Sequence, residues 1–397
     1  GSGTAPAGPD ARWSLHTALS RLWLDHVTWT RGYVVVATGK RSVAEFLTLP
    51  AAAVVRLVAV PLGAVISLLG FADAAAVRLM RNQHDIGQSV VPFYGSSAGS
   101  KLRRLMKKHI TLAVKMISAA RHGHVDRFGR LEAKWDENAD QIADLLASAN
   151  PNWQRADLVD LLRQHLSLTK RAVAARLEQR WEDDVDAVDQ IYTEILTVAG
   201  ALADGIIAQF PEKFPQDGLS EQARSLKQAM RRLWSDHAIW TRQYIVAAID
   251  GKPEADAAAK RLLRNQTDIG QAVAGFYGEE AGAALTNLLT QHVTIAVDIV
   301  DAATKKDAAR FDTANKAWDR NADEIASLLS SANPNWPKRD VLDLLMQHLN
   351  LTRDEVTAHL KRRRPADVKA FDLIQTEILT LADVLSDGII KQFPARV

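Results

Sequence analysis

Two heptapeptides, Arg81-Asn82-Gln83-His84-Asp85-Ile86-Gly87 and Arg264-Asn265-Gln266-Thr267-Asp268-Ile269-Gly270, differ at a single position. Each sets an amide and a carboxylate three residues apart, a spacing that on a helix places Asn265 with Asp268, and Asn82 with Asp85, on a shared face. The face is otherwise apolar, with Ala258, Leu262, Ile269 and Val273 along it. A polar group on a core stripe must be hydrogen-bonded, hydrated or bound to something.

Other polar residues occupy the same kind of position. His237 lies among Met230, Leu233, Trp234, Trp240 and Tyr244, and His292 among Leu285, Leu289, Ile295 and Ile299. Asn321 stands between Trp318 and Ile325, His348 follows Val341, Leu344 and Leu345, and Glu377 is flanked by Ile374, Ile378 and Leu381. An earlier stretch repeats the set as His26, Asn82, Asp85, His109, Asn138, His165 and Glu194. Surface positions differ freely between the copies, Lys107-Lys108 against Thr290-Gln291, while these seven positions keep their residue types.

Three imidazoles, two carboxylates and two amides per copy fit three chemistries. One is a buried hydrogen-bond network that fixes helix register. The second is a site for a divalent transition metal (Zn, Fe, Mn or Cu), since imidazole and carboxylate suit these ions and bundle cores hold them. The helical signatures His-Glu-x-x-His and Glu-x-x-His are absent, so spacing does not select this reading. The third is a pocket for haem or a flat organic molecule; without Cys-x-x-Cys-His, only non-covalent haem remains. A binding or sensing protein follows from the second or third, a purely structural one from the first. An enzyme would need an open coordination position or a perturbed acid–base pair. Arg31 and Arg242, about one turn beyond His26 and His237, are placed to balance Asp85 and Asp268 or to meet an anionic ligand. Trp23, Trp29, Trp135, Trp153, Trp234, Trp240, Trp318 and Trp336 read as packing anchors.

The elements that must carry these residues are helices. Apolar residues recur at three and four, and nothing alternates at period two over strand length. In the second copy helices are expected at about 220–249, 254–275, 280–304, 307–331, 338–349, 353–362 and 366–392. Gly278 and Gly282, like Gly95 and Gly99, mark a break. Thr352 and Glu355 form a capping-box pattern that would start the sixth of these helices, and Ala172 removes the Glu from the matching place after Thr169.

The copies align over most of their length. Leu22-Trp23 through Trp29-Thr30-Arg31 recurs at Leu233-Trp234 through Trp240-Thr241-Arg242, an offset of 211. From Asn82 onward the offset is 183, so an insertion of 28 residues sits in the first copy, after Gly39. The expected fold is all-α: two tandem homologous antiparallel helical bundles, residues 12–213 and 220–397, with a linker at 214–219 and a leader at 1–11. Gly1-Ser2-Gly3-Thr4 reads as a cloning remnant.

The insertion, residues 41–70, is apolar. From 46 to 71 the only charge is Arg56, and Pro50, Pro61 and Gly63 interrupt the run. A helical hairpin that returns to its own side fits, meeting a membrane surface, a second subunit or the protein's own core. The formal net charge of +2 gives no case for nucleic acid, and Lys361-Arg362-Arg363-Arg364 reads as a solvated helix end. Cysteine is absent, which excludes disulfides, thiol catalysis, cysteine-ligated zinc sites and iron–sulfur clusters.

Several motifs resemble those of a family of small uncharacterised bacterial helical proteins, whose members often carry the label acetylglutamate kinase or glycosyltransferase. They are Trp-Thr-Arg after the first His, Leu263-Arg264-Asn265, Phe276-Tyr277-Gly278, Trp318 with Asn321-Ala322-Asp323-Glu324-Ile325, and Asn333-Pro334 with Trp336. The resemblance covers nearly all of both copies except the insertion. It implies a helical fold and a bacterial origin and carries over no catalytic residue; the compartment stays open between cytoplasm and membrane.

Overall fold

The computed structural model describes residues 11–38, 74–215 and 218–397. The insertion at 41–70, with its apolar run at 46–71, lies outside the described residues, as does most of the leader. Among the described residues are twelve α-helices and no strand. They divide into two units, Gly1–Gly218 and Leu219–Val397. Unit 1 holds α1 (Ala11–Thr38), α2 (Ala74–Ser89), α3 (Val91–Arg121), α4 (Val125–Ala149), α5 (Arg155–Leu177) and α6 (Trp181–Gln209). Unit 2 holds α7 (Glu221–Ile249), α8 (Ala255–Tyr277), α9 (Glu279–Lys305), α10 (Ala308–Ala332), α11 (Lys338–Leu360) and α12 (Arg364–Gln392).

Within a unit each helix packs on its sequence neighbours, and the sixth packs back on the first, so the six close a ring. The first helix of each unit also touches the third and the fifth across the interior. Side chains on these inner contacts are the apolar stripes expected from the sequence: Ile325, Ala322, Leu349 and Leu381 have no exposed surface. Fully burying one such Ile or Leu contributes about 1.5–3 kcal/mol, which offsets the cost of polar groups at the same depth. All eight tryptophans named above are buried.

Local chemistry sets the helix ends. Ser220 caps α7 by accepting from the Ala223 amide at 2.9 Å, and Asp307 caps α10 by accepting from the Arg310 amide at 3.0 Å. Asn333 closes the turn before α11, its Oδ1 accepting from the Asn335 amide at 2.8 Å; Asn150 does the same before α5 at 2.9 Å. Asn333 Nδ2 then donates to Tyr277 Oη at 2.8 Å, and Tyr277 donates to Gln392 Oε1 at 2.9 Å, tying three corners of the unit together. Asn150, Tyr94 and Gln209 repeat that chain in unit 1.

Glycine is required where helices touch. A Cβ on Gly270 would fall 1.9 Å from Thr286 Oγ1 and 2.7 Å from the Gly282 carbonyl, and one on Gly282 would fall 2.6 Å from the Gly270 carbonyl. The break itself is at Gly278, with φ +88°, and at Gly95, with φ +79°. Gly282 and Gly99 are therefore crossing residues inside the next helix, not part of the break.

Two expectations are corrected. Residues 338–360 form one helix, not two, and so do residues 155–177. Thr352 does not cap: its hydroxyl donates to the His348 carbonyl one turn back at 2.9 Å, a bond that fits a helix interior. Glu355 is buried against Arg242 instead of reaching back to an amide. Phe214, at the end of unit 1, is buried, and its carbonyl accepts from Arg12 Nε at 2.9 Å.

Candidate metal centre

Each unit brings three histidines together. In unit 1 they are His26 on α1, His109 on α3 and His165 on α5; in unit 2, His237 on α7, His292 on α9 and His348 on α11. One ring nitrogen of each lies within 4.8 Å of those of its two partners. Ring centroids form near-equilateral triangles of 5.8, 5.8 and 6.1 Å in unit 1 and 5.9, 5.5 and 6.1 Å in unit 2. All six are at most 5% exposed. Three imidazoles bound to one ion at about 2.0–2.1 Å hold their centroids roughly 5.2–5.5 Å apart. The triads are thus a few tenths of an ångström wider than a loaded site. They could hold a metal ion. Rings this close leave room for one atom between them and none for a porphyrin.

The other three helices of each unit hold the imidazoles in place. His165 Nδ1 donates to Glu194 Oε2 at 3.0 Å, and His348 Nδ1 to Glu377 Oε2 at 3.1 Å. His292 Nδ1 donates to Asn321 Oδ1 at 3.1 Å. A carboxylate or amide oxygen can only accept, so in these three rings the proton sits on Nδ1 and the Nε2 lone pair is left for the centre. Gln83 donates from Nε2 to Leu79 O at 2.8 Å and Asn82 Oδ1 at 3.0 Å, so only its oxygen remains for an imidazole. Gln266 donates to Leu262 O at 2.7 Å, and its second hydrogen lies between Asn265 Oδ1 and His237 Nδ1, both at 3.3 Å.

The asparagines grip the histidine helices by their backbones. Asn82, Asn138, Asn265 and Asn321 donate to Leu22 O (2.9 Å), Leu105 O (3.2 Å), Leu233 O (3.0 Å) and Leu288 O (3.0 Å), in each case four residues before a histidine. Asn82, Asn138, Asn265 and Asn321 therefore stand behind the centre with Glu194 and Glu377, and only the six histidines occupy ligand positions. The Trp318 ring lies tilted against His292, centroids 5.0 Å apart, and donates to the His292 carbonyl at 3.1 Å; Trp135 lies tilted against His109 at 5.1 Å.

Burial depresses four of the imidazoles. It pushes His26 down to about 3, helped by the nearby His165, and His292 down to about 3, helped by His348. His109 and His237 are pushed well below the usual range by burial and by the other two rings of their triads. Neutral imidazole is the protonation state a metal requires.

Asp85 and Asp268 do not join the centre. Asp268 is exposed and Asp85 is partly exposed. A three-residue step turns a helix by roughly 300°, so Asp268 lies about 60° from Asn265, on the side away from Leu262 and Gln266. Gln83 and Gln266, fully buried, hold the inward place instead. Arg31 and Arg242 do form internal ion pairs, but with other acids. Arg31 meets Asp184 through both oxygens, at 2.5 and 2.6 Å, and Arg242 meets Asp367 at 2.7 Å and Glu355. In unit 2 burial works against ionising Asp367, yet Arg242 and His359 outweigh it and hold the carboxyl at about 2. Glu355 is pushed up to about 7 by burial, against the pull of Arg242.

Sequence reasoning missed the two glutamines, although a signal for them exists. Asn82, Asn138 and Glu194 are spaced by 56 residues, as are Asn265, Asn321 and Glu377. His237, His292 and His348 are spaced by 55 and 56. His237–Gln266, His292–Asn321, His348–Glu377 and His165–Glu194 are each 29 apart. Each unit is thus three helical hairpins, every one giving a histidine from its first helix and a partner from its second. Gly95-Ser96-Ser97-Ala98-Gly99 has the letters of a nucleophile elbow, but Ser97 is exposed inside α3 and a helix, not a strand, precedes it.

Two helices, α6 (Trp181–Gln209) and α9 (Glu279–Lys305), are long and apolar enough to cross a membrane. Among the described residues no other helix meets that measure; α6 carries Glu194 and buries most of its apolar stretch, whereas α9 carries His292 and buries about a third of its own. Comparison with protein-family models, with curated proteins and with solved structures finds no match.

Proposed function

We propose that each unit is a metal-binding module whose centre is a divalent transition-metal ion, zinc-like in its ligand preference, held by three histidines. The observation that carries this reading is the convergence of three buried imidazoles in each unit. Of the six, His165, His292 and His348 give Nδ1–H to a carboxylate or amide oxygen on the second helix of their hairpin. A hydrogen-bond network alone has no need of ring nitrogens turned toward one another. Metal-bound imidazole, by contrast, characteristically gives its far N–H to such an acceptor. Three protein ligands leave a fourth position for water or a small ligand, the pattern of sites that bind or activate rather than merely brace. A binding or sensing role follows, and hydrolytic chemistry is compatible with the ligand set.

The test is elemental analysis of protein purified without a metal-affinity tag and dialysed against zinc. The expected result is two ions per chain, falling to one in either His109→Ala or His292→Ala and to none in the double variant. A folded wild-type chain that retains no metal would leave the network reading in its place.

A further inference from the structure

Resting on the metal reading, the geometry points to a functional difference between the units: the centre in unit 1 admits a small anion of two or three heavy atoms, and the centre in unit 2 does not. A cavity of about 30 Å³ in unit 1 has His165 in its wall. It holds about two waters, or one linear or bent small anion. Val27, Val34 and Val173 make most of the wall apolar. Arg31 also lines it; its guanidinium is paired with Asp184, but Arg176 shares that carboxylate at 3.1 Å, so two guanidiniums stand against one acid. Thr30 and Thr169 also line it, their hydroxyls donating to the carbonyls of His26 at 2.7 Å and His165 at 2.9 Å. An anion lodged there would have both His165 and Arg31 among its neighbours.

The 183-residue offset shows what unit 2 has done with the same place. Ala172 corresponds to Glu355 and Val188 to Phe371. Phe371 is 1% exposed and lays its ring 4.8 Å from the Arg242 guanidinium, while Glu355 bonds the same guanidinium. Bulk replaces Val188, and a second carboxylate replaces Ala172, so Arg242 faces two acids where Arg31 and Arg176 share one. A cavity of about 20 Å³ does remain in unit 2, but its wall of Tyr244, Ile245, Leu262, Val293 and Ile299 includes none of the three imidazoles.

The experiment loads the full chain with Co²⁺, counts the ions, and titrates azide while following the visible cobalt bands. Two cobalt ions are expected, of which one responds. The response should survive in His292→Ala, vanish in His109→Ala, and weaken at least tenfold in Val188→Phe with cobalt still bound at both centres. Ala172→Ile, a smaller filling of the same cavity, should weaken it in the same direction and serves if Val188→Phe does not fold. Equal responses from both centres, no response with two cobalt ions bound, or an unchanged azide affinity in the filled variants would overturn the inference and leave the metal reading intact. Failure to take up cobalt at all would overturn both.

Discussion

Neutral imidazoles buried in triads make the stability of the metal-free protein depend on acid. His26 and His292 sit at about 3 when folded, with burial as the first cause, against about 6.5 in the unfolded chain. Between those values the unfolded chain binds protons that the folded chain refuses. Stability is therefore full above about pH 6.5 and falls as pH drops toward about 3, by up to about 1.4 kcal/mol per pH unit for each such ring. Unit 2 contains groups of opposite sign. Glu355, raised to about 7, and His359, raised above its ordinary value, each contribute stability that is lost as pH rises through the folded pKa. The acid loss should thus be steeper in unit 1, where no such group is resolved beside the triad. Thermal melts of metal-free protein from pH 7.5 to 5 should show a clear fall; a flat melting temperature would mean that the rings are hydrated and the triads open.

At the scale of the element, the hairpin depends on close approach as much as on apolar burial. A Cβ on Gly388 in α12 would fall 2.0 Å from Trp336 Nε1, and one on Gly205 in α6 would fall 1.9 Å from Trp153 Nε1. Gly388→Ala should destabilise unit 2 by about 1–3 kcal/mol through overpacking, measured by chemical denaturation; an unchanged midpoint would mean that the tryptophan can retreat. Helix existence was legible because apolar residues recur at three and four, and the depth of His237, His292 and His348 followed from their apolar neighbours. The false start at Thr352 arose because Thr-x-x-Glu satisfies a capping pattern while the tertiary partner of Glu355, Arg242, is 113 residues away. Asp268 was misplaced because three residues is the edge of a shared face, and in its stead Gln266 points inward. The 56-residue repetition would have shown that each histidine has one partner, but it is a spacing of polar residues across different helices, and similarity between the two copies masks it.

For the whole molecule, the copies allow one unit to serve as a template for the other. Unit 2 passes from α7 to α8 through a turn at residues 250–254 that includes Lys252, Pro253 and Glu254. Substituting that turn for residues 41–70 should leave unit 1 helical with its triad intact, read by circular dichroism and metal content. What should change is association, because burying half of so apolar a run contributes several kcal/mol at about 25 cal/mol per Å². Loss of liposome flotation or a smaller mass by light scattering is the expected outcome for the swapped chain. Unchanged mass with no lipid binding by either chain would assign residues 46–71 to the interior of their own unit.

X-ray absorption at the zinc edge of the loaded full-length chain tests the central claim most directly. Three histidine nitrogens at about 2.0–2.1 Å, with the outer-shell scattering of imidazole and one further light ligand, are the predicted first shell. An oxygen-dominated shell without imidazole scattering would place the ion elsewhere and reduce the two triads to hydrogen-bonded core.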